Sequence, residues 1–249
     1  MRILRAGLAA ALVLLPVTAA QAAPVTVRFP EGVTRAFPTL STLDGQKIAY
    51  GDLVQVVRGD RVVSRMTFRF KDGSLYDEMA VFSQRDVFTL LSYRIVQRGP
   101  SFPETLEASI DRETESYTVR YRPDDDSPEE VLSGRFTLPD DAYNGMLCLV
   151  LKNLAPRATE TVSVVAFTPK PRAVKLALVP VGEDPVLVSD STMPAIRYHL
   201  RPQLGLLASL LVVDLPEMRV WVLPGEAPAF LRAEGPLYFM GPIWRIDPH

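Results

Sequence analysis

The sequence predicts a mainly β protein: a strongly curved antiparallel sheet or open β-barrel with one main helix packed across its concave side. Three observations lead there. Short segments rich in β-branched and aromatic residues recur along the chain, separated by hairpin-type turns. One segment changes from a two-residue to a helical apolar period. Roughly a dozen strands around one helix is also more sheet than a flat open arrangement usually carries without curling.

The strands are taken in order. Segment 47–57 (KIAYGDLVQVV) ends at the turn Arg58-Gly59-Asp60-Arg61. Segment 62–70 alternates, with Met66, Phe68 and Phe70 on one side and Arg65, Thr67 and Arg69 on the other. Lys71-Asp72-Gly73-Ser74 is a hairpin signal, because Asp-Gly supplies positive φ angles. Segments 75–83 and 87–97 follow on either side of Gln84-Arg85-Asp86, and Arg98-Gly99-Pro100-Ser101 breaks the run. Segments 106–111 and 116–122 pair around 112–115, and 130–138 follows the acidic turn at Asp124, Asp125 and Asp126. Strands resume at 161–167 and 173–181, then at 185–189, 195–200, 218–223, 229–233 and 238–246. Hairpin-type turns at this spacing point to an antiparallel sheet and away from a parallel α/β fold.

The helix is expected over 142–154. Pro139, Asp140 and Asp141 offer an N-cap and early acids that suit the helix dipole. Met146, Leu147, Val150, Leu151 and Leu154 fall on one face, and Ala155-Pro156 stops the element. Gly145 opposes it, costing about 1 kcal/mol against Ala in a helix interior.

The N-terminus has the pattern of a secretory signal. Arg2 and Arg5 form a basic n-region, 7–17 is an apolar run too short to span a bilayer, and Ala20-Gln21-Ala22 is a small-x-small cleavage site. The expected organisation is a signal peptide at 1–22, an arm at 23–44 and a single curved-sheet domain at 45–249. No Cys follows the apolar run to take a lipid. The apolar stretch at 204–215 is also shorter than a membrane span, so no stable transmembrane anchor is expected after cleavage.

Charge and chemistry narrow the function classes. Cleavage lowers the basic residues from 27 to 25 against 29 acidic ones, moving the net charge from −2 to −4. A nucleic-acid binder would need a basic field instead. Cys148, the single cysteine, lies in an apolar stretch and reads as a buried small hydrophobe. His199 and His249 are the only histidines, which weakens triad, zinc and most acid–base schemes. His199 reads as a half-exposed sheet residue. Glycine-rich phosphate loops, Gly-x-Ser-x-Gly, His-Glu-x-x-His and Cys-x-x-Cys are absent from the sequence. The adjacent pairs Asp77-Glu78 and Glu129-Glu130 point to opposite faces of a strand and read as solvated residues. No catalytic residue, cofactor or metal site is expected.

The chain resembles a family of exported bacterial proteins built on a domain of unknown function. The stretches that carry the resemblance are Pro38-Thr39-Leu40 to Tyr50-Gly51-Asp52, Lys71-Asp72-Gly73-Ser74-Leu75, Phe82-Ser83-Gln84 and the run from Gln97 to Pro103. In the second half they are Thr168-Pro169-Lys170-Pro171-Arg172, Gly225 to Phe230, and Glu234-Gly235-Pro236-Leu237-Tyr238 through Gly241 to Ile246. More distantly, the order of elements is similar to that of periplasmic lipoprotein carriers of the LolA/LolB type. That similarity implies an antiparallel sheet wrapped around helices, with an apolar cavity for acyl chains.

The function expected first is therefore a periplasmic, non-catalytic binding or carrier protein for a lipid-like or other apolar ligand. The alternative is a structural or interaction protein of the cell envelope whose partner is another envelope protein; an enzyme ranks third. If a ligand space exists, Met146, Leu147, Leu151, Leu206, Leu207 and Leu210 are expected to face it, with Trp221 or Trp244 near its wall. N-terminal sequencing of protein recovered from the periplasm should begin at Ala23 or within a few residues of it. Recovery of only the intact, membrane-bound precursor would rule out cleavage.

Overall fold

The computed structural model describes residues 23–124, 126–188, 190–203 and 217–248, with the side chain of Val188 not described. The expected signal peptide and Leu206, Leu207 and Leu210 lie outside these residues. The strands are β1 (Thr34–Ala36), β2 (Thr39–Ser41), β3 (Lys47–Arg58), β4 (Arg61–Phe70), β5 (Leu75–Gln84), β6 (Phe88–Arg98), β7 (Thr105–Asp111), β8 (Ser116–Arg122) and β9 (Glu130–Arg135). After the helix α1 (Leu147–Asn153) come β10 (Glu160–Phe167), β11 (Pro171–Val188), β12 (Ser191–Gln203), β13 (Met218–Leu223), β14 (Ala229–Gly235) and β15 (Trp244–Asp247).

All the strands join one curved antiparallel sheet. From β2 to β9, and again from β10 to β15, every strand pairs with its sequence neighbour. β15 then pairs with β2 through Arg245–Ser41, Ile246–Leu40 and Asp247–Thr39. This order leaves β9 and β10 as the two edges, so the sheet curls without closing. The crossover 136–159 leaves β9, runs along β10 at Ala142–Ser163 and packs α1 against β13 and β14.

Alternation sorts the side chains between the two faces. Phe68, Phe70, Tyr76, Phe82, Leu90, Ile110, Val119, Leu178 and Leu200 point to the concave side and share one core with Met146, Val150, Leu151 and Leu154 of the crossover. The convex side carries cross-strand ion pairs, among them Arg65–Asp77 at 2.7 Å, Arg94–Glu107 at 2.9 Å, Arg245–Glu234 at 2.9 Å and Arg232–Asp247 at 2.7 Å.

The helix is shorter than the sequence predicts. Gly145 adopts φ +67°, which a right-handed helix cannot accommodate, and α1 begins only after Met146. Asp141 does not cap it. Its carboxylate is buried, accepting from Ser163 Oγ at 2.9 Å and pairing with Lys175 Nζ at 2.6 Å. Backbone bonds from Tyr143 N to Ser163 O and from Ser163 N to Asp141 O dock this stretch on β10. On the β9 side, Arg112 donates to the carbonyls of Leu90 (2.6 Å), Leu138 (3.2 Å) and Pro139 (2.8 Å).

Two further expectations change. The last strand is confined to Trp244–Asp247, because 238–241 forms a turn with Met240 at φ +60° and Pro242 has no N–H for a ladder. The segments expected at 173–181 and 185–189 are one strand, β11, interrupted by a bulge between Pro180 and Gly182. The bulge reverses the alternation. Leu176 and Leu178 face the concave core, whereas Val186 joins Ala195, Trp221 and Leu231 in a small second cluster on the convex side.

Replacing Asp141 by Ala strands Ser163 Oγ and unpairs Lys175. Urea denaturation should show a loss of about 1–3 kcal/mol. A loss below about 0.5 kcal/mol, the range of ordinary surface changes, would mean that the crossover is held in place by other contacts.

Candidate functional site

The middle of the concave side is polar at one point. In β5 the side chains of Tyr76, Glu78, Ala80 and Phe82 alternate inward, so Glu78 enters an otherwise apolar face. Register places Met66 of β4 and Ile95 of β6 directly beside it. Asp77, its neighbour in sequence, points to the convex side, where Arg65, Thr67 and Arg94 hold it. The pair does sit on opposite faces, but neither member is a freely solvated residue: Asp77 is 5% exposed, and Glu78 is deep in the fold.

A short hydrogen-bond relay ends on Glu78. Asn144 of the crossover bonds both ways to the backbone of Val165, accepting from its N–H at 2.7 Å and donating to its carbonyl at 2.9 Å. Asn144 also donates to the Tyr93 hydroxyl. Tyr93 in turn donates to Glu78 Oε1 at 2.7 Å, and the Tyr76 hydroxyl donates to the same carboxylate. Burial raises the Glu78 pKa, outweighing these hydrogen bonds, which pull it down. Burial and the adjacent carboxylate push both tyrosines well above the ordinary range.

Glu78 has no counter-charge among the described residues. Lys152 of α1 is tied to Glu31 of the N-terminal arm at 2.6 Å. The arm is fastened beside it. Asn153 Oδ1 accepts from the backbone N–H groups of Arg28 and Phe29, while Gln84 and Gln55 hold Glu31 and Gly32.

The packing around Glu78 is incomplete. Glu78 and Cys148 lie deep among protein atoms, yet both keep part of their accessible surface. Gly145 lies over the carboxyl, its Cβ position 3.5 Å from Glu78 Cδ, and it remains exposed. Phe167, stacked on Tyr93 at a centroid distance of 6.5 Å, is also only partly buried. Burial pushes the Cys148 thiol up to about 12, so it is not a thiolate at neutral pH.

Of the residues expected to line a ligand space, Met146, Leu147, Leu151 and Trp244 belong to the concave core. Trp244 sits in an aromatic group with Phe70, Phe102 and Tyr238, and Phe102 stacks on Tyr76 at 6.5 Å. Trp221 does not join them. It lies on the convex side, donating from Nε1 to Asp184 at 2.8 Å. His199 is also convex, with Nδ1 2.8 Å from Glu217 Oε1. Two open depressions do not include Glu78 in their lining. One, of about 230 Å³, is bordered by Met79, Arg94 and Thr118, and the other, of about 540 Å³, by Asp60, Arg61 and Arg85. Glu78, Tyr76, Tyr93 and Asn144 were not among the expected site residues, although the alternation Tyr76, Glu78, Ala80, Phe82 places Glu78 inward.

No family model matches the chain, and no curated protein does. Among solved structures the chain is similar to a β-barrel-like protein of domain of unknown function DUF1849 from Brucella abortus. The two share 8% identity and a TM-score of 0.48, over 89% of this chain and 98% of that one.

A carboxyl group whose folded pKa is raised contributes stability that is full below its unfolded value, and that contribution is lost as pH rises through the folded value. Glu78→Gln removes this dependence while keeping an acceptor for both tyrosines. The unfolding free energy of the variant relative to the parent should rise as pH increases from the ordinary glutamate range through the raised folded value. Parallel pH profiles would mean that Glu78 is not held in an unfavourable charged state.

Proposed function

We propose that this chain is an exported, periplasmic, non-catalytic binding or carrier protein for ligands with an apolar body, taken up on the concave side of the sheet beside α1. The observation that carries the reading is the unsealed interior around Glu78. Partly accessible Leu147, Cys148, Phe167 and Met66 belong to an otherwise well-buried apolar core. Ligand sites are commonly apolar spaces with a few placed polar groups.

Other features agree with this reading. The signal-like N-terminus supports export, and the first backbone groups anchored to the fold, at Val25 and Val27, lie just past the expected cut. Among the described residues no helix is long and apolar enough to cross a membrane. The ion-paired convex side suits water, since a charged side chain facing lipid costs about 2–4 kcal/mol at the bilayer midplane. One observation favours the envelope-interaction alternative: Val33, Phe37, Tyr50, Val54 and Val56, on or beside β1 and β3, are exposed.

The test is a ligand panel. Single-chain amphiphiles with acid, alcohol and amine heads, together with phospholipids, would be titrated against a Trp221→Phe variant in which Trp244 alone reports. Native mass spectrometry would follow co-purified mass. At least one class should shift Trp244 emission saturably and appear as bound mass. No shift and no bound mass for any class would overturn the carrier reading in favour of the interaction reading.

A further inference from the structure

We propose that Glu78 is the recognition point for a protonated amine on an amphiphilic ligand, the cation supplying the counter-charge that the fold withholds. This inference rests on the binding reading above and adds the chemistry of the ligand's head.

The argument is a count of donors and acceptors. At this point the protein presents no free donor. Asn144 directs its amide hydrogens to the Val165 carbonyl and the Tyr93 hydroxyl. Tyr93 and Tyr76 both donate to Glu78. What remains open are acceptors: further lone pairs on the carboxylate, and the oxygen of Tyr76. An acceptor-only site rejects an anionic head, which would meet a carboxylate with no donor to offset it. An alcohol can donate one hydrogen bond. A primary ammonium can donate three and carries the missing charge.

The surroundings make the missing charge consequential. Buried carboxylates are ordinarily paired, and four other acids of this fold follow that rule. Asp77 has Arg65 and Arg94, Asp141 has Lys175, Glu234 has Arg245, and Glu31 has Lys152. Glu78 has two tyrosine hydroxyls instead. Lys152 of α1 is taken by Glu31. Met66, Ile95, Ala80 and Cys148 supply apolar contact beside the carboxylate. Gly145, itself exposed, packs its backbone closely here, its Cβ position 3.1 Å from Ala80 Cβ and 3.5 Å from Glu78 Cδ, and Glu78 keeps part of its accessible surface beside it.

The experiment compares heads on one chain length. Dodecylamine, dodecanol, dodecanoate and dodecyltrimethylammonium would be titrated against the full mature chain at neutral pH, with Trp244 emission and native mass spectrometry as readouts. In the parent protein the amine should bind at least about tenfold more tightly than the alcohol, with the acid weakest. The trimethylammonium head has the charge but no N–H, and it should fall between amine and alcohol. In Glu78→Gln the preference for amine over alcohol should disappear. The comparison in the parent protein stands whether or not the variant folds. Binding of the series with the acid equal to or tighter than the amine, or an amine preference that survives in folded Glu78→Gln, overturns this inference and leaves the carrier reading intact. Absence of binding by all four heads overturns both.

Discussion

The architecture depends on a sheet that curls around its core without meeting itself. The ladder runs unbroken from β10 through β15 and β2 to β9, and stops there. An open gap would expose the core and leave edge strands available for pairing with other chains. The crossover covers part of the β10 edge and adds apolar side chains to the core. Asp141 and Asn144 attach it to β10, Arg112 attaches it from the β9 side, and α1 carries Val150 and Leu151 inward. The same segment brings Asn144 and Gly145 over Glu78. The element that docks on β10 is thus also the one that brings the polar relay to Glu78.

The two faces of the sheet treat charge differently. On the convex side acids and bases meet across neighbouring strands, from exposed pairs such as Arg35–Asp52, which contribute little, to pairs whose acid is buried, such as Arg65–Asp77. On the concave side the long-range contacts of the N-terminal arm contain one ion pair, Lys152–Glu31, and Glu78 stands apart from it. Surface pairs of the first kind are tolerant of exchange. An interior carboxylate without a counter-charge instead costs the fold stability when it ionises.

Local patterns made much of this legible. The alternation in β4 and the Asp72-Gly73 turn mark a hairpin that forms as read, with Gly73 at φ +89°. The inward position of Glu78 follows from the same alternation in β5, but its significance does not, because adjacency to Asp77 suggests an ordinary solvated pair. Helix length misled because an apolar stripe continues through Gly145, where the backbone turns the other way. Trp221 was associated with the interior because its neighbours are apolar. Val220 and Val222 face the core, and Trp221, between them, faces out toward residues that the β11 bulge has turned to that side. The seam itself has no local signature. Arg112 and Pro139, or Arg28 and Asn153, meet only after the sheet has curled.

The pairing of β15 with β2 has a consequence for the order of assembly. Both halves of the ladder consist of hairpins between sequence neighbours, contacts that close quickly because little chain entropy is lost. The three residue pairs that join the halves link 39–41 to 245–247, nearly the full length of the chain. A nascent chain can therefore form hairpins early but cannot unite its two half-sheets until its final strand has been synthesised. The most distant contact thus holds back the complete fold while the rest of the chain is still being made.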